Sequence, residues 1–302
     1  MDKFSRRELL VGGSRLGLLA GATLAVPGFL TACGGQSSTS STGGKLAELQ
    51  AKKSVRIGVA NENPYGFVNS NGEVKGFIVE TLAAVLAPLG ITTLDPVVVP
   101  FDALIPGAAS GRFDLIAGGT YIRPERCQAV SFTNPVYRSG GAFLKRAGED
   151  VPVHSLLDVA ANPSVRIGTQ TGTSQVAEIE DAKIPSGQVV KFGADNESVA
   201  ALKAGRVDVI YYPSLQAATL VSTNQGAIER VTPYTQIMKD GKPVFNYGAL
   251  AARLDDTDII DALNNGLKTI REDGTLKKIF ATYGLTEDEI PEASVTAADL
   301  CK

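Results

Sequence analysis

An internal repeat constrains the fold of this chain more than any other feature of its sequence. The word Ser-Val-Arg-Ile-Gly occurs at residues 54–58 and again, letter for letter, at 164–168. Further on, Gly-Arg-Phe-Asp-Leu-Ile at 111–116 is echoed by Gly-Arg-Val-Asp-Val-Ile at 205–210. Each first word predicts a short buried strand, and each second word leads from a predicted helix into another strand. Two words repeated in the same order indicate two similar α/β lobes, each built on parallel strands joined by helices.

Two extended segments that contain glycine, at 137–144 and 246–253, lie where the chain would pass between these lobes. We interpret them as a double crossover, which makes the first lobe discontinuous. The predicted division places residues 51–139 and 250–302 in lobe 1 and residues 140–249 in lobe 2. Two connections restrict the relative motion of the lobes to a hinge, so a ligand bound between them would close it.

Residues 1–32 are typical of an export signal. Arg6 and Arg7 precede paired leucines, a mostly apolar stretch follows, and small residues lead to Cys33. The adjacent arginines resemble a twin-arginine signal, and Leu-Thr-Ala-Cys resembles a lipobox, in which cleavage exposes the cysteine for lipid attachment. The alternative is a transmembrane helix, but glycines, a proline and Arg15 interrupt the apolar run, and a spanning helix needs about 20 predominantly apolar residues.

Residues 33–50 are predicted to be a flexible tether, because the serine, threonine and glycine residues at 36–44 cannot build a core. We therefore expect an exported protein, anchored by lipid at the outer face of the cytoplasmic membrane or in the periplasm.

Composition narrows the range of functions. The chain has 302 residues, is 44% hydrophobic and 20% charged, and has one histidine and three cysteines. These values indicate a globular protein of about two domains and leave little material for a metal centre. A formal net charge of -3 argues against nucleic acid as a partner. His154 has no nucleophile signature beside it, so we expect no catalytic residue and no cofactor.

Three loops of lobe 1 carry candidate ligand-binding residues. Glu62 and Tyr65 follow the first predicted strand, Phe101 follows the second, and Tyr121 and Arg126 follow the third. The carboxyl ends of parallel strands meet at one edge, and ligands of open α/β sheets bind there. The alternative places the aromatic residues in the core and the charged residues in solvent. An aromatic residue just past each of several strands favours a binding rim.

The loop at 168–174 of lobe 2 predicts an anion site. It follows a strand and precedes a predicted helix, but it lacks the glycine spacing and the lysine of a nucleotide-binding loop. Backbone N–H groups at a helix start, together with the hydroxyl of Thr173, suit a carboxylate.

These residues resemble the solute-binding proteins of ABC importers, specifically family 3, which binds polar amino acids and opines. The motifs that carry the resemblance lie at residues 103–106, 111–114, 124–126, 131–137, 273–279 and 283–284. The similarity runs from about residue 54 to residue 285. It implies a type II periplasmic-binding-protein fold with the ligand cleft between the lobes. It also implies a monomer that delivers a small zwitterionic or cationic solute to the permease subunits of a transporter.

Within that family the chain is most similar to the ectoine- and hydroxyectoine-binding proteins. In that subgroup three aromatic residues surround the cationic ring of the ligand, a glutamate contacts the ring, and an arginine and a lobe-2 threonine take the carboxylate. The resemblance therefore implies that the ligand contacts are Tyr65, Phe101, Tyr121, Glu62, Arg126 and Thr173.

One departure from the family bears on the ligand. Amino-acid binders commonly carry an aspartate in lobe 2 for the α-ammonium group, at the place that Pro213 occupies here. Its absence, with Glu62 as the only expected acid of the cleft, favours a delocalised ring cation. A binder of an amino acid, opine or betaine stays an alternative. An enzyme resembling cyclohexadienyl dehydratase is a further one.

Cys127 and Cys301 remain once Cys33 is assigned to the anchor. An oxidising compartment favours a disulfide between them. Two buried or free thiols are the open alternative.

Overall fold

The computed structural model describes residues 44–302. The predicted export signal, the lipid-anchor residue Cys33 and most of the predicted tether lie outside these residues. The prediction that the tether extends to residue 50 was wrong, because a helix begins at Lys45. Leu49 in this helix is buried, and the Lys45 ammonium lies 3.0 Å from the carboxylate of Asp114. Within residues 44–302 every helix is too short or too polar to cross a membrane.

Sixteen strands are present among the described residues. In chain order they are β1 (Ser54–Val59), β2 (Phe67–Val68), β3 (Val74–Lys75), β4 (Thr93–Val98), β5 (Leu115–Ile116), β6 (Val130–Phe132), β7 (Tyr137–Ser139), β8 (Gly141–Arg146), β9 (Ile167–Gln170), β10 (Val189–Phe192), β11 (Val209–Pro213), β12 (Ile228–Arg230), β13 (Met238–Lys239), β14 (Lys242–Pro243), β15 (Asn246–Gly248) and β16 (Ala251–Arg253).

Eleven α-helices accompany these strands in the same part of the chain. They are α1 (Lys45–Lys52), α2 (Phe77–Leu86), α3 (Leu104–Ala109), α4 (Pro124–Cys127), α5 (Leu156–Ala161), α6 (Ser174–Asp181), α7 (Asp195–Lys203), α8 (Ser214–Thr223), α9 (Thr257–Glu272), α10 (Thr275–Thr282) and α11 (Ala297–Leu300). Short 3₁₀ turns occur at Ala87–Leu89, Phe101–Ala103, Ser186–Gln188 and Glu287–Glu289.

Each lobe contains one five-stranded sheet, and the two sheets have the same plan. The strand order is β4-β1-β5-β16-β6 in lobe 1 and β10-β9-β11-β8-β12 in lobe 2. In the order given, the first three strands of each sheet are parallel to one another. The fourth strand continues from a crossover segment and pairs antiparallel with the third: β16 pairs with β5 in lobe 1, and β8 pairs with β11 in lobe 2. The repeated sequence words therefore form equivalent strands of two similar α/β lobes.

An arginine–aspartate pair explains why both words are repeated together. In lobe 1 the backbone N–H of Arg56 donates to the carboxylate of Asp114 at 2.9 Å, and the guanidinium approaches the same carboxylate at 3.0 Å. In lobe 2 the backbone N–H of Arg166 donates to the carboxylate of Asp208 at 2.7 Å. In both lobes the arginine also donates to the carbonyl of the motif's glycine, which has a positive φ. Within each lobe, the arginine of the first repeated word thus binds the aspartate and the glycine of the second.

The two crossover segments lie side by side. Strand β7 pairs antiparallel with β15, and Tyr137 stands opposite Gly248. Strand β7 leads into β8 of the lobe-2 sheet, and β15 leads into β16 of the lobe-1 sheet. The chain therefore crosses between the lobes twice through one two-stranded ribbon, which is the hinge of this fold.

The C-terminal region packs on lobe 1. Apolar residues of α9 such as Leu263 and Leu267 belong to the core that also holds β1 and α2. A disulfide joins Cys127 to Cys301, with the two Cα atoms 5.8 Å apart. This bond ties the last helical turn of the chain to α4.

The disulfide predicts a stability effect that can be measured. We expect Cys301→Ser to lower the free energy of unfolding by about 2–4 kcal/mol, because the bond restricts the unfolded chain across a long loop. Denaturant unfolding without reductant measures the loss. Cys127→Ser should cause the same loss, and the double variant should lose no more than either single one. Full alkylation of both cysteines in denatured, unreduced protein would contradict the bond.

Candidate functional site

A small cavity lies between the lobes, at the carboxyl ends of strands from both sheets. Its lining consists of Glu62, Tyr65, Phe101, Gly119, Tyr121, Thr173, Ser174, Gln175, Pro213 and Gln216. Five of the six residues that the sequence predicts as ligand contacts are in this lining. The cavity volume is ≈ 10 Å³, which is space for at most one water molecule. The lobes are therefore closed on each other in this structure.

A tight turn after β1 aims Glu62 into the cavity. The N–H of Glu62 donates to the carbonyl of Gly66, and the N–H groups of Tyr65 and Gly66 donate back to the carbonyl of Glu62. A side chain at Gly66 would collide with the carbonyl oxygen of Ala117, since an ideal Cβ would lie 2.3 Å from it. The glycine thus permits the turn that holds Glu62 at the end of the strand.

The carboxyl group of Glu62 is buried, and one of its two oxygens is unpaired within the described chain. Only 4% of the residue is exposed, and Oε1 has no hydrogen-bond partner among residues 44–302. Burial raises the pKa of this carboxyl well above its ordinary value, and the charge of Asp195 raises it further, whereas a hydrogen bond from Gln170 and the charge of Arg126 act in the opposite direction. The effects that raise the pKa are the larger ones, so a further positive group beside Glu62 would stabilise its ionised form.

The aromatic residues form a wall of lobe 1 and also belong to its core. Tyr65 and Tyr121 lie in the main core cluster, whereas Phe101 lies in a second one. The ring of Tyr137 from β7 packs 5.3 Å from that of Tyr65 and 5.8 Å from that of Tyr121, measured between centroids. Core and binding rim are thus not alternatives here. Sequence reasoning missed Tyr137 because it is the first residue of the crossover strand β7, whereas the other aromatic residues come after the end of a strand.

Arg126 lies beside the cavity and bridges the lobes. Its Nη1 donates to the carbonyl of Tyr121 at 3.0 Å, and its Nη2 donates across the cleft to the carbonyl of Gly172 at 2.8 Å. Its Cζ lies 5.5 Å from the ring centroid of Phe101. Burial lowers the pKa of Arg126 to about 10, so the side chain is still cationic at neutral pH. A guanidinium has five N–H donors, which leaves three for a ligand.

Thr173 lines the cavity in an orientation that the sequence did not predict. Its hydroxyl donates to the carbonyl of Gln170 at 2.8 Å, so the hydroxyl proton is not available to a ligand in this conformation. The expectation that this hydroxyl donates to a carboxylate is therefore not met in the closed structure. Two neighbouring polar groups, Ser174 Oγ and Gln175 Nε2, are buried and unpaired within the described chain. These groups at the start of α6 are the better candidate donors.

The expectation that Glu62 is the only acid near the cleft was wrong. Asp195 begins α7 in lobe 2, and its Oδ2 accepts a hydrogen bond of 2.7 Å from the side chain of Gln216, which lines the cavity. Its Oδ1 is buried and has no partner in the part of the chain that the structure describes. Burial raises the pKa of Asp195, while hydrogen bonds from Gln216 and Tyr212 oppose this. Applying the strand-end rule to β10 would have found this residue.

Comparison with known proteins identifies the family of this chain. Residues 55–286 match the bacterial extracellular solute-binding proteins, family 3. The chain belongs to this family. It is 30% identical over 259 residues to a probable amino-acid ABC transporter periplasmic-binding protein, y4tE, of Sinorhizobium fredii, a match that covers 85% of each chain. The family predicted from the sequence is thereby confirmed.

Two solved structures of solute-binding proteins resemble this one. The crystal structure of EhuB in complex with hydroxyectoine has a TM-score of 0.77 and 29% identity, and the match covers 85% of this chain and 98% of EhuB. An ancestral amino-acid-binding protein, AncCDT-1, described as a precursor of cyclohexadienyl dehydratase, has a TM-score of 0.69 and 25% identity, covering 79% and 98%. The predicted type II fold is confirmed. The protein is the solute-binding component of an ABC transporter for amino acids or other polar solutes.

The closed state of this solute-binding protein depends on Gly172. Its φ is +78°, and an ideal Cβ on it would lie 2.8 Å from the Cβ of Asp102 in lobe 1. Gly226, also in lobe 2, has a φ of +76° and no atom within 4 Å of such a Cβ among residues 44–302. The two positions share the same backbone constraint, and only the first contacts the opposite lobe.

We expect Gly172→Ala to hold the lobes apart, because the added methyl group would collide with Asp102. Small-angle X-ray scattering should then give a larger radius of gyration than for the unaltered protein. Gly226→Ala is the matched control: both variants should lose about 1 kcal/mol of stability from the strained φ, but the control should keep the original radius. Equal radii for all three proteins would contradict the role of Gly172.

Proposed function

We propose that this protein binds ectoine, hydroxyectoine or a solute of the same chemistry, with a delocalised ring cation at one end and a carboxylate at the other. The observation that carries the proposal is Oε1 of Glu62, which is buried and has no partner among the described residues, in a side chain that lines the cavity with the aromatic wall of lobe 1. A cation against that wall would give Glu62 the partner that it lacks. The similarity to EhuB in complex with hydroxyectoine supports this choice of solute.

The aromatic wall suits a flat cation. Tyr65, Phe101 and Tyr121 all contribute to the cavity lining. A cation over an aromatic face is stabilised by about 0.5–2 kcal/mol per contact, with the larger values where water is excluded. Delocalised positive charge presents a flat face to such rings, and it loses less hydration on burial than a compact ammonium group.

The other end of the cleft suits a carboxylate. Arg126 is cationic and buried, and its remaining N–H groups can form charge-assisted hydrogen bonds, which contribute about 1.5–3 kcal/mol each. The polar groups of Ser174 and Gln175 stand at the start of α6, where the helix dipole also favours negative charge. A zwitterion would therefore meet a group of opposite sign at each end.

An α-amino acid is the second candidate, and Asp195 favours it. The sequence argument against amino acids rested on the absence of a lobe-2 carboxylate. Asp195 provides one next to Gln216 of the cavity. The similarity to a probable amino-acid ABC transporter protein of Sinorhizobium fredii points in the same direction.

We also propose that the solute enters an open form and is enclosed by hinge closure, because a cavity of ≈ 10 Å³ cannot admit a molecule of this size. The protein acts as a monomer and releases the solute unchanged to the permease. The Nδ1 of His154 lies 2.9 Å from the carbonyl of Pro233, and His154 is not among the residues that line the cavity. Conversion of prephenate by the purified protein would contradict the absence of catalysis.

Isothermal titration against ectoine, hydroxyectoine, glycine betaine, arginine and glutamine tests the solute. We expect ectoine or hydroxyectoine to bind most tightly. Thermal unfolding is an independent measurement, since a solute at 100 times its dissociation constant adds about 2.7 kcal/mol of stability. Glu62→Gln should weaken binding roughly ten- to hundredfold through loss of a charged partner. Glu73→Gln, an exposed acid of lobe 1, is the matched control. Tightest binding of arginine or glutamine would favour the second candidate.

We propose further that the mature chain is a lipoprotein attached through Cys33. The sequence support is the lipobox-like Leu-Thr-Ala-Cys at residues 30–33. Cys33→Ser should abolish incorporation of radiolabelled palmitate and move the protein from the membrane fraction to the soluble fraction. Cys127→Ser should keep the label. Labelling of the Cys33 variant at the original level would contradict the anchor.

A further inference from the structure

Two carboxylate oxygens from opposite lobes are left without partners in the closed protein. Oε1 of Glu62 belongs to lobe 1 and Oδ1 of Asp195 to lobe 2, and both are buried and unpaired as far as residues 44–302 are concerned. Gln216 connects the second acid to the cavity, because its side chain lines the cavity and donates to the other oxygen of Asp195. An orphaned acceptor is costly when it is buried, and here each lobe contributes one.

Arg126 is the positive group that acts on Glu62, and within the described residues its single charge stands against two buried carboxyl groups. Two of its N–H groups donate to the carbonyls of Tyr121 and Gly172. The phenol of Tyr212 acts on Asp195, and the phenols of Tyr65 and Tyr137 are close enough to feel the charge of Glu62. Burial raises the pKa of all three phenols, so they stay neutral.

Two neighbouring acids in a dry site cannot both ionise without a compensating charge, so one of them retains its proton. Glu62 lines the cavity, Asp195 is linked to it through Gln216, and each has a buried oxygen without a partner among residues 44–302, so the same constraint applies to them. In agreement with this geometry, the charge of Asp195 adds to the effect of burial in raising the pKa of Glu62. Lowering the pH protonates the pair and favours the ligand-free closed form. Raising the pH through the raised pKa of Glu62 ionises it and disfavours that form.

We propose that Asp195 is a second acidic determinant of solute specificity: together with Glu62 it retains a proton in the ligand-free closed protein, and a solute cation displaces that proton. The proposal rests on the proposed function and deepens it, because it defines the solute class by charge. Binding of the cation releases a proton to the buffer, so affinity for a cationic group rises with pH until the pair is fully ionised. Asp195 also positions Gln216, through the 2.7 Å hydrogen bond.

The first test needs no solute. The carboxyl carbon of Glu62 is followed by NMR during a pH titration of ligand-free protein carrying ¹³C-labelled glutamate. We expect Asp195→Asn to lower the midpoint for Glu62 by about one pH unit, through removal of the neighbouring charge. Asp150→Asn, an exposed acid of the same lobe, should leave the midpoint unchanged. An identical midpoint in the Asp195 variant and the unaltered protein would overturn the proposal.

The second test uses ectoine and L-arginine as probes in titration calorimetry, repeated in two buffers of different ionisation enthalpy to count released protons. Below the midpoint that NMR gives for Glu62, the unaltered protein should release protons on binding, and Asp195→Asn should release fewer and bind at least tenfold more weakly. Asp150→Asn should match the unaltered protein in both respects. Zero proton release by the unaltered protein would overturn the proposal, and this measurement does not depend on the variant folding.

The two proposals fail in different ways. If neither probe nor any other cationic or zwitterionic solute binds the unaltered protein, the proposed function fails, and the NMR titration still decides whether the acids are coupled. If ectoine or arginine binds but Asp195→Asn retains the original affinity and proton count, the proposed function stands and the role of Asp195 is refuted.

Discussion

The hinge ribbon is the constraint on which the rest of this structure depends. Tyr137 of β7 lies opposite Gly248 of β15, and a Cβ on that glycine would lie only 2.0 Å from the tyrosine ring. Because Gly248 has no side chain, the ring of Tyr137 can occupy this position and pack against both Tyr65 and Tyr121. The aromatic wall is therefore built on the hinge itself. Opening the cleft moves lobe 2 away from a wall that stays with lobe 1.

The charges of the cleft residues link closure of the lobes to binding of a solute. Closing the lobes removes water from Glu62 and Asp195, and removing water from ionised carboxylates is costly unless opposite charge is nearby. The same closure brings Arg126 against the carbonyl of Gly172, which favours the closed state. On the proposal made above, a cation that offsets the two acids shifts these opposed contributions toward the closed state. A solute of the wrong charge leaves them uncompensated.

The sequence predicted the two-lobed fold more completely than it predicted the residues of the cavity. The Arg56–Asp114 and Arg166–Asp208 pairs join the repeated words within each lobe, so the repetition reports the fold directly. Strand ends identified Glu62, Tyr65, Phe101 and Tyr121, because each follows a recognisable lobe-1 strand. Asp195 was missed because an acid at the start of a helix ordinarily serves the helix dipole. Only the folded chain shows it turned toward Gln216.

Arg126 illustrates what a residue pattern cannot specify. An arginine at the cleft edge predicts a carboxylate ligand, and its chemistry permits one. In the closed structure, however, two of its donors bind backbone carbonyls, one of them in the opposite lobe. A solute carboxylate beside the guanidinium would add a charge-assisted hydrogen bond without breaking either contact, since three donors remain. The arginine would thus strengthen closure and bind the solute at once, and a neutral solute end would gain only the first effect.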